Sequence, residues 1–286
     1  MASSLFRPRR FALCGRRGFF VVFPRVTPVA MTHPVWQFSS ENAPPEQQTY
    51  FLTSYEWTGC VDTAQPARGL QRLTFAGRPV EVQRLLGASI ELSVSSASLT
   101  DCYVRGDDLI AVYEAAGGKA LRSQLYWRRI PTNESASNTL GIELIASVQT
   151  ELLHSEPCLK VVSEINGREV CQMASNGDTP LVSWKSVPRQ NLDSADAQGG
   201  GVFVIRGVGP GFDFVQSVHP SDLHRTWVSE RNGVVSLVHE LFAEPLEKGV
   251  MRRGRVRCWL RPQTEDVAWV ADYYRAWLNE PPPLTT

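Results

Sequence analysis

The sequence predicts a mainly β fold, a large antiparallel two-sheet sandwich closed by a short C-terminal helix. Three observations predict it. Apolar and polar residues alternate with period two along much of the chain, which is the side-chain periodicity of a strand. The pairs Asn166-Gly167, Asn176-Gly177 and Asn232-Gly233 fall between such segments, and Asn-Gly supplies the positive φ angles of a tight hairpin turn. A helical period appears with conviction only near the C-terminus, so packing sheet on sheet is the way to bury the apolar faces.

The chain opens on a basic segment. Arg7, Arg9, Arg10, Arg16, Arg17 and Arg25 meet no acid before Ala30, which leaves 23 of 29 basic residues for the rest of the chain against all 29 acidic ones, a body of net −6. Residues 1–46 are read as a basic tail. Ordinary composition resumes at Met31, so residues 1–30 are either sequence upstream of a start at Met31 or an arginine-rich extension. The apolar run Gly18–Phe23 is shorter than the ~7–15 residues of a secretory core. No stretch approaches the ~18 uninterrupted apolar residues of a membrane span, so the expectation is a soluble, cytoplasmic protein with no membrane partner.

Residues 47–185 form the first β half. Gln71–Phe75 and the alternation around Val80 and Val82 read as a hairpin turning at Ala76-Gly-Arg-Pro79. Ile90, Leu92 and Val94 alternate with polar residues, and Leu109–Tyr113 is apolar on both faces, as in a strand with neighbours on either side. Gly117-Gly118 turns into Leu121, Ser123, Leu125 and Trp127, and a further strand runs from Ile142 to about Leu152. Polar residues 186–201 read as a linker. Residues 202–286 form the second β half, with strands at Val202–Ile205 and Phe212–Val218 joined through Gly207-Val-Gly-Pro-Gly211. That glycine run lacks the lysine of a Walker loop and the third glycine of a dinucleotide loop, so it reads as a turn or bulge. Glu151–Pro157 echoes Glu240–Pro245 and hints at duplication.

The helix follows from Thr264 as cap, Glu265 and Asp266 in the first turn, and the stripe Val267, Val270, Tyr274, Leu278. Trp269, Tyr273 and Trp277 make a second, aromatic stripe, suited to packing on a sheet or to stacking against a sugar or base. Asn279 and Pro281-Pro282-Pro283 stop it.

Residues 252–257 hold four arginines. In an extended strand Arg253, Arg255, Arg257 and Trp259 share one face, and Gly254, Val256, Cys258 and Leu260 the other. An acidic body repels a phosphate backbone, which disfavours nucleic acid as a partner. The arginines therefore read as a cross-strand ion-pair ladder with Glu240, Glu244 or Glu247, or else as a binding face, with Trp259, for a small carboxylate or phosphorylated ligand. The run Glu247–Arg257, with the helix after it and the ending Pro282-Pro283-Leu284-Thr285-Thr286, resembles the tail of an uncharacterised group of bacterial proteins over roughly the last 50 residues. The resemblance implies no activity and assigns no catalytic residue.

His219, His224, His239 and Glu240 fall in one short region and are candidates for acid–base chemistry. Ala243 stands where the second histidine of an H-E-x-x-H zinc motif would be, and no metal site or cofactor is expected. Period two also places His239 between Leu237 and Leu241 as a satisfied core histidine, sets Glu240 opposite Arg225, and makes His219–Asp222 a turn. The six cysteines form no C-x-x-C pair and read as reduced thiols. A Cys158–Cys171 disulfide is disfavoured by the register of a hairpin turning at Asn166-Gly167. Asn133-Glu-Ser135 fits a glycosylation sequon, read as chance.

The functional reading is a non-enzymatic binding or assembly module whose partner is an unknown protein or a small anionic or carbohydrate ligand. The alternative is a carbohydrate-active enzyme of the sugar-epimerase kind, with His219 or His239 as acid, Glu240 as base and an arginine from Arg253–Arg257 meeting in a concave sheet.

Overall fold

Burial alternates residue by residue along Thr49–Ser54, Cys158–Asn166 and Val234–Leu241 and is nearly continuous along Leu140–Thr150 and Phe212–Val218 in the computed structural model, which describes residues 35–39, 48–91, 97–115, 121–132, 138–176, 179–186, 192–194, 201–242, 244–264 and 268–281. In chain order the strands are β1 (Trp36–Phe38), β2 (Thr49–Ser54), β3 (Trp57–Asp62), β4 (Leu70–Phe75), β5 (Arg78–Pro79), β6 (Val82–Glu91) and β7 (Ala97–Arg105). They continue as β8 (Asp108–Ala115), β9 (Leu121–Ile130), β10 (Leu140–Thr150), β11 (His154–Ser155), β12 (Cys158–Asn166), β13 (Glu169–Asn176) and β14 (Thr179–Ser186). The last are β15 (Leu192–Ser194), β16 (Val202–Val208), β17 (Phe212–Val218), β18 (Leu223–Arg231), β19 (Val234–Leu241), β20 (Leu246–Glu247) and β21 (Met251–Pro262), followed by helix α1 (Ala268–Leu278). The predicted fold class is the observed one.

The first sheet has the order β1-β2-β3-β4-β6-β12-β19-β18-β15, with β5 on β4, and the second β14-β13-β16-β17-β21-β10-β9-β8-β7. All the pairings are antiparallel, and β11 with β20 makes a small separate ribbon. That ribbon pairs His154 and Ser155, within the first echoing segment, with Leu246 and Glu247, which directly follow the second. Strands from before residue 186 pair with strands from after residue 202 in both sheets: β12 with β19, and β13 with β16 and β10 with β21.

One apolar cluster fills the space between the sheets. Leu159, Val161 and Ile165 of β12 and Val235, Leu237 and Leu241 of β19 enter it from the first sheet, and Val256, Cys258 and Leu260 of β21 from the second. Trp57, Phe75 and Phe212 meet there with ring centroids 5.0–5.2 Å apart. A polar bridge crosses the same core. At a bulge between β6 and β12, the Leu86 amide donates to Ser163 Oγ at 3.0 Å, and Ser163 Oγ donates to Gln216 Oε1 of the second sheet at 2.6 Å.

Several local expectations change. The turn at Asn232-Gly233 is as read, with φ of 55° and 79° and Arg231 opposite Val234. Asn166-Gly167 is not a hairpin: β12 and β13 lie in different sheets, and the connection between them carries the chain from one to the other. Gly167 lies outside the positive-φ region and serves close packing, since a Cβ there would stand 2.1 Å from Ile205 Cγ2. Cys158 and Cys171 are accordingly on separate sheets, and neither is in a disulfide. Trp36–Phe38, read as part of the tail, forms β1 because Trp36 is buried and its Nε1 donates to Asp107 O at 3.0 Å. The turn after β4 is Ala76-Gly77 alone, with Arg78 and Pro79 already in the return strand. Leu192–Ser194, within the stretch read as a linker, pairs with β18. The basic residues 1–30, the Gly117-Gly118 turn, the second residue of Asn176-Gly177, the sequon, Glu265, Asp266 and the final prolines Pro282 and Pro283 lie outside the described residues. Among the described residues no helix is long and apolar enough to cross a membrane.

Candidate functional site

Helix α1 lies on the outer face of the second sheet. Val270, Ala271, Tyr274 and Trp277 are its buried residues, and they pack with Met173, Val202, Val204, Val215 and Trp259. The aromatic stripe read from the sequence is thus split: Trp277 is fully enclosed, whereas Trp269 and Tyr273 are only partly covered.

The arginine strand holds this helix down. Val256, Cys258 and Leu260 face the inter-sheet core, and Arg255, Arg257 and Trp259 face α1. Arg257 donates from Nε to Glu143 Oε1 at 2.6 Å and from its terminal nitrogens to Glu280 at the end of α1 and to Tyr273 Oη, the last at 3.4 Å. Glu143 is 1% exposed and sits directly across the β10–β21 ladder from Arg257. Arg128, bound bidentately to Asp108 at 2.7 and 2.9 Å, adds a second positive charge 3.9 Å from Glu143. The guanidinium groups of Arg255 and Arg257 lie 5.5 and 5.0 Å from the Trp277 ring, a cation–π arrangement on a desolvated indole. These arginines are paired and buried, and the acids expected from the sequence are not their partners. Glu240 belongs to β19 in the other sheet, and Glu244 takes Arg252, which points away from α1.

The proposed catalytic trio does not converge. His239 faces the inter-sheet core, where Thr226 Oγ1 lies 2.9 Å from Nδ1 and Nε2 has no partner among the described residues. Burial lowers its pKa to about 3, so the ring is neutral. Glu240, the next residue, points to the opposite face of the first sheet and accepts from Cys158 Sγ at 2.9 Å. It lies opposite Arg225 as the turn register requires, and the Arg225 guanidinium sits over the Trp227 ring. His219 follows β17 in the second sheet, with its ring edge-on to Trp277 and Nδ1 2.7 Å from Ser221 Oγ. Asp222, in the same turn, accepts from the Arg255 amide at 3.0 Å. His224 is exposed on β18. Alternation along a strand and the division into two sheets separate residues that are close in sequence. Among the described residues no three His, Cys, Asp or Glu side chains are grouped to hold a metal.

What the structure does assemble is a cavity of about 590 Å³ between the first turns of α1, the end of β21 and the β9–β10 connection. Trp259, Trp269 and Tyr273 supply its aromatic walls, and Arg261, Asn138 and Thr139 its polar groups. Trp259 is set in place by Gly141 on the neighbouring strand: a Cβ there would fall 2.3 Å from the indole ring, so only glycine lets the ring lie across β10. Tyr273 stands edge-on to Trp259, with ring centroids 5.2 Å apart. Burial pushes its phenol up to about 12, so it remains a neutral hydroxyl. The Arg261 guanidinium lies 4.6 Å from the Trp269 ring and has no carboxylate partner among the described residues. Of the predicted binding residues, Trp259 lines this cavity, Arg257 positions Tyr273, and Arg253 is half-buried on the same strand. Arg261, Asn138 and Thr139 were not singled out by the sequence. The signal that could have found them is Gly141 inside an otherwise apolar strand, which marks a close approach.

No family model matches the chain and no curated protein matches it in sequence. Solved structures do match in fold. A candidate aldose 1-epimerase from Escherichia coli K12 superposes with a TM-score of 0.52 at 10% identity, covering 76% of this chain and all of the other. A galactose mutarotase related enzyme from Lactobacillus acidophilus gives 0.44 at 7% identity over 77% and 99% of the two chains, and an aldose epimerase homologue from C. elegans 0.45 at 9% over 73% and 97%. At such identities the first of these establishes a shared β-sandwich fold and nothing finer.

Proposed function

We propose that the chain binds a neutral carbohydrate in the cavity beside α1, as a binding module rather than an epimerase. The observation that carries this reading is the lining itself: three aromatic side chains, a guanidinium without a carboxylate partner among the described residues, and the short polar side chains Asn138 and Thr139 around one opening. A pyranose ring has an apolar C–H face and a rim of hydroxyls that both donate and accept. Flat aromatic walls match the first, and Arg, Asn and Thr groups match the second. The volume lies in the ~300–1,000 Å³ range of small-ligand sites. The neighbours' own names, aldose epimerase and galactose mutarotase, make aldoses, galactose among them, the first ligands to try.

Binding is preferred over turnover because His239 is a neutral core residue, Glu240 lies on the far face of the other sheet, and neither can share a substrate with His219. The test pairs two readings of one sample. Tryptophan emission is followed during titration with a panel of monosaccharides and short oligosaccharides, and polarimetry follows the equilibration of freshly dissolved α-galactose. A saturating emission change without faster mutarotation is the expected result. Accelerated mutarotation would move the assignment to the epimerase reading, and no emission change with any sugar would remove the carbohydrate reading altogether.

A further inference from the structure

We infer that the first sheet carries a separate site for a small oxyanion, a carboxylate or a phosphate, in a split between β4 and β6. The ladder joining these strands consists of one pair, Leu70 opposite Leu85. Beyond it β4 bulges against β3, between Thr58 and Cys60, and then folds back through Ala76-Gly77 onto β5. The sheet therefore opens, and a cavity of about 560 Å³ occupies the gap. Arg68, Arg72, Gln71, Thr74 and Gln83 give it its polar lining, which contains no carboxylate. In a body whose net charge is negative, this is a local positive site. Neither arginine has an ion-pair partner among the described residues, in contrast to Arg84 beside them, which is paired with Glu164 at 2.8 Å.

Both cationic side chains are mounted on fixed backbone. Arg68 ends a short 3-10 turn, Pro66–Arg68, that is pressed onto β6. A Cβ on Gly69 would meet Leu85 O at 2.2 Å, and one on Gly87 would meet Ala67 O at 2.2 Å, so the two chains touch where only glycine fits. Arg84 fastens the same turn by donating to Ala67 O at 3.0 Å. Arg72 is the bulged residue of β4, with a φ of 52°. The bulge turns Leu73 as well as Leu70 into the core and leaves the exposed Arg72 side chain at the opening that Arg68 also lines. Paired guanidinium forks with neutral amide and hydroxyl donors beside them suit the several acceptor oxygens of a carboxylate or phosphate.

Calorimetric titration of the full chain with inorganic phosphate and, separately, with malonate tests the site. One-to-one saturable binding of at least one ion is expected, and which ion binds assigns the class. Arg72→Asn, chosen because asparagine tolerates positive φ, and Arg68→Gln at an exposed position should each weaken it by about tenfold or more, the loss expected for one charge-assisted hydrogen bond. Arg78→Gln, on β5 outside the cavity, and Trp269→Ala, in the carbohydrate site, should leave it unchanged. Absence of saturable binding by both ions, or equal affinity in the native chain and in both folded lining variants, would overturn the inference.

Discussion

Replacing His239 by leucine should flatten the acid side of the chain's stability curve. The imidazole is fully buried, burial holds its pKa near 3, and the unfolded value is about 6.5. Below about pH 6.5 the unfolded chain takes up a proton that the folded chain refuses until about pH 3. The contribution to stability is thus fully present above the unfolded pKa and is lost progressively as pH falls toward the folded one. At about pH 5, roughly 1.5 units below the unfolded pKa, the loss is ~2 kcal/mol at about 1.4 kcal/mol per unit. Leucine fits the apolar line of Val235, Leu237 and Leu241 and removes the unpartnered Nε2, at the cost of the contact with Thr226 Oγ1. Near pH 8 the variant should therefore lie within ~1 kcal/mol of the native chain. Urea unfolding of both proteins at about pH 8 and about pH 5 isolates the effect, because other carboxylates titrate alike in the two. A native-minus-variant difference that shifts by ~2 kcal/mol between the two conditions is predicted. A difference that stays constant would mean that His239 is solvated or charged in the fold, and the account of the core would be wrong.

Other residues give simpler tests. Gly167→Val should lower stability by ~1–3 kcal/mol by overpacking against Ile205, and Ile205→Ala should recover part of that loss in a double-mutant cycle; additive effects in chemical denaturation would refute the contact. Arg257→Met leaves the buried Glu143 carboxylate without its nearest guanidinium and should cost ~3–5 kcal/mol, whereas Arg252→Met at the exposed pair with Glu244 should cost under ~1 kcal/mol. Equal losses in urea midpoints would contradict the assigned burial. Trp277→Ala should remove ~3–5 kcal/mol by emptying the space between α1 and the second sheet, with a smaller effect for the partly exposed Trp269 in thermal melts.

The arginine strand shows what was legible. Its alternation fixes which residues face the core and which face outward, because period two is a property of the strand alone. Its ion-pair partners were not legible, because they depend on which strands are neighbours: Glu143 lies more than a hundred residues away on β10, while Glu240, close in sequence, is in the other sheet. The same dipeptide also carries two meanings. At Asn232-Gly233 both residues take positive φ and make a hairpin, and at Asn166-Gly167 the glycine is needed for its missing side chain at a crossover. The cavity beside α1 was half visible, in the aromatic stripe of α1 and in Trp259. Its polar groups other than Arg261 include Asn138 and Thr139 of the β9–β10 connection, which no local pattern brings to the helix. His219, His239 and Glu240 looked like a site because they are near one another in sequence, and a change of strand and of strand face parts them.

The most direct test of the central claim is isothermal titration of galactose into the native chain and into Trp269→Ala, with equal melting temperatures confirming that both are folded. One-to-one binding by the native chain that disappears in the variant is the predicted result. Equal affinity in the two, or no heat with either, would contradict the assignment of the cavity beside α1 as a sugar site.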